Sequence, residues 1–97
     1  MSREPIIKNK SIDELYKAII SIDSVDECYT FFEDLCTITE IQAMAQRYHV
    51  ALMLEQGVTY SKIAKETGAS SATISRVNRA LNYGAGGYKT VIEKVEK

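Results

Sequence analysis

The sequence predicts an all-α fold, one domain carrying a helix-turn-helix. Three observations point there. Its 97 residues include one proline and five glycines, so few positions break a helix. Apolar residues recur at spacings of three and four along most of the chain. Residues 60–79, YSKIAKETGASSATISRVNR, place a small residue, a glycine and apolar anchors where two short crossing helices need them.

The elements follow in order. Residues 1–10 are polar, contain Pro5 and are expected to form a loose arm. Ser11, with Glu14 three residues on, matches a capping box, and Ile12, Leu15, Ile19 and Ile22 continue at helical spacing. Ser24 is the expected cap of a second helix. Val25, Cys28, Tyr29, Phe32, Leu35 and Cys36 share one of its faces, and Asp26, Glu27, Glu33 and Asp34 make a solvated acidic face opposite. A break at Thr37-Ile38 leads to Thr39 as cap of a long third helix, Glu40 to about Gln56, closed by Gly57. Ile41, Met44, Ala45, Tyr48, Ala51, Leu52 and Leu54 make that helix apolar over more than one face, which suits the centre of a core or an interface. After residue 83 a glycine-rich turn precedes a last helix near Tyr88–Glu96; Tyr83 and Tyr88, flanking the turn, are expected in a core or interface.

A chain of 97 residues makes one domain, 1–97, and buries only a thin core alone, so a partner subunit is a natural support. Cys28 and Cys36 lie in apolar helical stretches and read as reduced core residues, which suits a cytoplasmic protein. They and the single histidine, His49, lack metal-ligand spacing, so no metal or cofactor is expected; His49 reads as a surface or interface residue. No stretch is long and apolar enough for a membrane span, and MSREPIIKNK lacks the apolar core of a signal peptide. The net charge of −1 is unevenly spread. Residues 1–59 carry five Lys or Arg against ten Asp or Glu, whereas residues 60–89 carry five against Glu66 alone. That asymmetry marks a local basic face on an acidic body, and its natural partner is double-stranded DNA.

The basic segment is also where the function is expected. Ala64 gives room for the second short helix to cross the first, and Gly68 supplies the positive φ of the turn. Ile63, Ile74 and Val77 pack the pair together, and Ser70 or Ser71 caps the second helix. Its outward face is then Ser71, Ala72, Ser75, Arg76 and Arg79. Small residues near the helix N-terminus allow close approach to a major groove, and the arginines suit guanine edges or phosphates. The hydroxyls of Thr73 and Ser75 can serve either, and Lys62 and Lys65 of the first short helix can hold the flanking backbone.

Through LCTITEIQAMAQRYHVALMLEQG and YSKIAKETGASSATISRVNRALNYG the chain resembles the Trp repressor family, and over its whole length the YerC/YecD branch. The resemblance implies six helices in an intertwined homodimer with the long helix in the shared core. It also implies where a corepressor would sit. Arg47 and Arg76 fall on the two arginines that hold tryptophan, and Thr37 falls on the threonine at the pocket edge. Two positions depart. Val77 stands where the family has the glycine that leaves room for the indole, and Ala80 stands where a serine meets the ligand amine. The reading is therefore a repressor that binds operator DNA as a homodimer without tryptophan. A repressor gated by another small-molecule effector is one alternative.

Two other functional classes make different demands on the sequence. A protein-interaction module on the same scaffold would predict an outward face without cations, against Lys62, Lys65, Arg76 and Arg79. An enzyme would need a nucleophile with a base, paired carboxylates or a phosphate-cradling loop. The glycines of 84–87 approach such a loop, but Lys89-Thr90 stands one residue too late and no strand precedes it, so no catalytic residue is expected.

Overall fold

The computed structural model describes residues 4–96. Among them are six helices, α1 (Lys10–Ile20), α2 (Val25–Leu35), α3 (Ile38–Glu55), α4 (Tyr60–Thr67), α5 (Ser71–Tyr83) and α6 (Gly87–Val95), and no strand. The all-α, six-helix expectation holds. The chain divides into two compact units, one over Arg3–Ile41 and one built on Gln42–Lys97.

In the first unit, residues 4–9 form no helix; residues 1–3 of the expected arm lie outside the described residues. α1 begins earlier than Ser11 would have it. Asn9 is the cap, its side-chain oxygen accepting from the Ile12 amide at 2.8 Å. With Asn9 as cap, Ser11 falls inside the first turn of α1 rather than before it. Ser24 caps α2 as expected, accepting from the Glu27 amide at 3.1 Å, while the Glu27 carboxylate accepts from the Asp23 amide at 3.0 Å.

The cap of α3 is a correction. Thr37, not Thr39, opens the helix, its hydroxyl accepting from the Glu40 amide at 3.1 Å while Glu40 Oε1 accepts from the Thr37 amide at 2.8 Å. Both threonines carry a capping-box partner three residues on, Glu40 for Thr37 and Gln42 for Thr39, and the helix takes the earlier pair, in which the acceptor is a charged carboxylate.

No residue of α1 or α2 is buried. Ile12, Leu15, Ile19, Ile22, Phe31 and Phe32 are half-buried, the two phenylalanine rings meeting edge-on at 5.4 Å. Tyr16, Ile20, Val25, Tyr29, Leu35 and Ile38 stay exposed. Cys28 is exposed and Cys36 half-buried, which corrects the reading of both as core residues. The apolar spacing was right; one copy of the chain simply offers this unit too little to pack on.

The second unit holds the core. Val50 and Ala51 of α3, Ile63 of α4, Ala69 of the turn, Ile74 and Val77 of α5 and Ile92 of α6 form one buried cluster. Tyr48, Leu52, Met53, Leu54, Val58, Ala64 and Tyr88 pack against it. Each fully buried Val or Ile contributes about 1.5–3 kcal/mol of transfer free energy. Tyr88 thus joins the core margin, but Tyr83 is 84% exposed and does not.

Candidate nucleic-acid interface

Local chemistry fixes the two short helices. Thr59 caps α4 by accepting from the Lys62 amide. Gly68 ends it at φ +74°, its amide donating to the Ala64 carbonyl at 2.9 Å. A left-handed residue costs a non-glycine roughly 1–2 kcal/mol, so glycine is the natural occupant. The Thr67 hydroxyl donates to the Ile63 carbonyl at 2.7 Å and accepts from the Ala69 amide at 3.1 Å. Ser70 then caps α5, accepting from the Thr73 amide at 3.1 Å. The turn between the helices has its local polar groups tied down.

α5 is sharply two-faced. Ile74, Val77 and Leu81 are buried at i, i+3 and i+7. On the opposite face Ala72, Ser75, Arg76 and Arg79 line a shallow concavity of about 240 Å³. All four are exposed, as is Ser71. Among the described residues neither arginine has an ion-pair partner. Lys62 stands 3.9 Å from Glu66 with both side chains mostly exposed, a spacing at which the pair does little to hold the lysine. Lys65 is also exposed.

The remaining expected contacts divide. The Ser70 hydroxyl, besides accepting from the Thr73 amide, lies 3.1 Å from Thr73 Oγ1, and Thr73 is half-buried. These two side chains hold the start of the helix, leaving Ser71, Ala72 and Ser75 as its free small residues.

The residues of the expected corepressor pocket are differently engaged. Val77 is 2% exposed and belongs to the core cluster. Arg47 and Arg76 are exposed. Ala80 lines an apolar groove of about 430 Å³ with Tyr48, Ala85, Gly87, Tyr88 and Val91, a different depression from the one Arg76 lines. Thr37 belongs to the first unit, where its hydroxyl caps α3. His49 is exposed, and among the described residues no group of three His, Cys, Asp or Glu side chains is placed to hold a metal. No helix among them is long and apolar enough to cross a membrane.

One polar residue escaped the sequence reading. Gln46, on the largely apolar α3, donates from Nε2 to the Thr67 carbonyl at 3.1 Å. Its only signal in the sequence was an uncharged polar side chain beside Ala45 and Tyr48.

The sequence pattern of the family described as Trp repressor protein matches residues 10–96. The chain belongs to the Trp repressor family. YerC of Bacillus subtilis, an uncharacterised protein, is 53% identical to it over 91 residues, spanning 94% of this chain and 88% of YerC. Among solved structures, a candidate Trp repressor of Staphylococcus aureus superposes with a TM-score of 0.89 at 46% identity, covering 92% of this chain and 89% of its own. A TrpR-like protein of Eubacterium eligens gives the same TM-score at 53% identity, covering 92% of both chains. The Trp repressor family is one of helix-turn-helix DNA-binding transcription regulators.

Proposed function

We propose that this Trp repressor family member is a sequence-specific transcriptional repressor that binds operator DNA as a homodimer and is not gated by tryptophan. The observation that carries the reading is the split of α5. Its inner face is locked into the core by Ile74, Val77 and Leu81, and its outer face presents Ser71, Ala72, Ser75, Arg76 and Arg79 to solvent. A rigid helix with a small-residue tip and two unpaired arginines suits entry into a major groove. Lys65 and Lys62, the latter only loosely paired with Glu66, are exposed on α4 where they can meet the flanking phosphates. A purely protein-binding surface has no need of that concentration of cations on an otherwise acidic chain. As a DNA-binding regulator of this family, it is expected to work in the cytoplasm.

The homodimer rests on the first unit. Its helices carry helical apolar stripes and bury no residue, so they call for a second copy to cover them. The reading against tryptophan rests on Val77. Its side chain fills core space where the family keeps a glycine for the indole.

The test is binding to duplex DNA recovered by the purified protein from a random pool. Arg76→Ala and Arg79→Ala should each weaken binding, by about 1–3 kcal/mol where the side chain makes a bidentate base contact. Affinity should fall steeply with salt through counterion release. Unchanged affinity and salt slope in a folded double variant would put the reading face elsewhere.

A further inference from the structure

Every side-chain hydrogen bond between described residues joins positions five or fewer apart in the chain, with one exception. The exception is Gln46 to Thr67, 21 residues apart and partly buried. Its acceptor is the last carbonyl of α4, one of the group that a helix C-terminus leaves without an intrahelical partner. Thr67 is also the residue whose hydroxyl ties the turn to Ile63 and Ala69. Ser70, the cap of α5, follows three residues later.

The rest of the attachment of α4 and α5 to α3 is apolar. Apolar contact is non-directional and fixes an angle only as well as side-chain shapes interlock. An amide-to-carbonyl hydrogen bond is directional, and this one sits at the pivot between the two short helices. A reading helix must be held within about 0.5 Å and 10–20° to discriminate among base edges.

We infer that Gln46 is a positioning residue: by holding the Thr67 carbonyl it sets the pitch of the reading helix on α3, and so sets sequence discrimination rather than bulk DNA affinity. The inference rests on α5 being the DNA-reading helix. Gln46 stands beside a solvent-open cleft of about 340 Å³ also lined by Ala45, His49, Met53, Glu66 and Thr67. Water can therefore satisfy the carbonyl when the amide is lost, and the chain stays folded while the geometric constraint disappears.

Gln46→Met removes the donor at nearly constant shape. Gln46→Glu replaces it with an acceptor facing the carbonyl. Gln46→Lys restores a donor of comparable reach. Binding is measured for the full chain on the duplex that the wild-type protein selects from a random pool and on a scrambled duplex, across a range of salt. Gln46→Met should lower the ratio of the two affinities by roughly three- to tenfold, the worth of one hydrogen bond. The affinity for scrambled DNA and the salt slope should stay as in wild type, because no phosphate contact is touched. Gln46→Glu should lose at least as much discrimination, and Gln46→Lys should recover part of it.

An unchanged ratio in folded Gln46→Met, or an equal loss on both duplexes, overturns the inference. If wild-type protein discriminates among no DNA sequences, the DNA-reading assignment fails separately. The clamp is then judged by amide hydrogen exchange: Gly68 to Thr73 exchanging faster in Gln46→Met, with Val50 and Ile74 unchanged, upholds it, and identical exchange refutes it.

Discussion

Folding of this chain should depend on its own concentration. The first unit leaves Tyr16, Ile20, Val25, Tyr29, Leu35 and Ile38 exposed, most of them by more than half. Large apolar and aromatic side chains bring on the order of 150–200 Å² each, and scaled by their exposure these six offer roughly 700 Å² per copy. Two copies together would cover about 1,400 Å², within the range of specific, stable interfaces. The unit has no buried residue of its own to keep it folded, so its folding and association should be one event. For a folded dimer in equilibrium with unfolded monomers, each tenfold rise in concentration adds about 1.4 kcal/mol of apparent stability. With a urea dependence of about 2–3 kcal/mol per molar, the midpoint should move by roughly half a molar per decade. Urea unfolding followed by far-ultraviolet circular dichroism over a hundredfold concentration range should therefore shift by about one molar. Superimposable curves, with a monomeric mass in sedimentation, would refute the reasoning.

Other outcomes follow from single residues. Gly84→Ala places a Cβ against the Ala80 carbonyl oxygen, a backbone atom that cannot step aside, and should cost about 1–3 kcal/mol in denaturant unfolding. Gly68→Ala meets open space and carries only the left-handed penalty of roughly 1–2 kcal/mol, so Gly68→Asn should be milder still. Thr37→Ala breaks the reciprocal cap of α3 and should destabilise by about 1 kcal/mol, whereas Thr39→Ala should have no such effect. L-tryptophan should neither bind nor alter DNA affinity. Overpacking by Val77, about 1–3 kcal/mol, and the hydroxyl missing at Ala80, about 0.5–1.5 kcal/mol, together weaken such a site roughly a hundredfold. Saturable calorimetric binding at roughly tens of micromolar would overturn that expectation.

The helix-turn-helix was legible because its constraints are local. Gly68 at φ +74°, Ser70 as cap and Ile74 with Val77 on the inner face all follow from residue types within one or two turns of one another. The cap of α3 was misplaced because two threonines compete there, each with a capping-box partner three residues on, so spacing alone does not decide between them. Cys28 was misjudged for a different reason. Helical spacing tells which residues share a stripe, but not whether anything covers it within one copy of the chain. Gln46 was invisible because its partner is a backbone carbonyl, which every residue carries and no sequence pattern marks.

Val77 and the uncovered first unit bear on the same question, what sets operator occupancy. In a corepressor-gated design the reading helix moves between two poses, and a ligand binds one of them better. Gating of that kind needs space beside the reading helix that is empty in one state. At the position where the resemblance to the family implies that space, this chain has Val77, whose side chain is part of the core cluster. The pose of α5 is then set by packing, and a ligand with no differential contact shifts nothing. What remains variable is the number of assembled dimers. If folding and association are one event, dimers form with the square of the concentration of free chains whenever the unfolded monomer dominates, so occupancy would respond to the level of the protein more sharply than a monomeric reader could. If Val77 closes the ligand slot as proposed, abundance is the variable that the remaining architecture can sense.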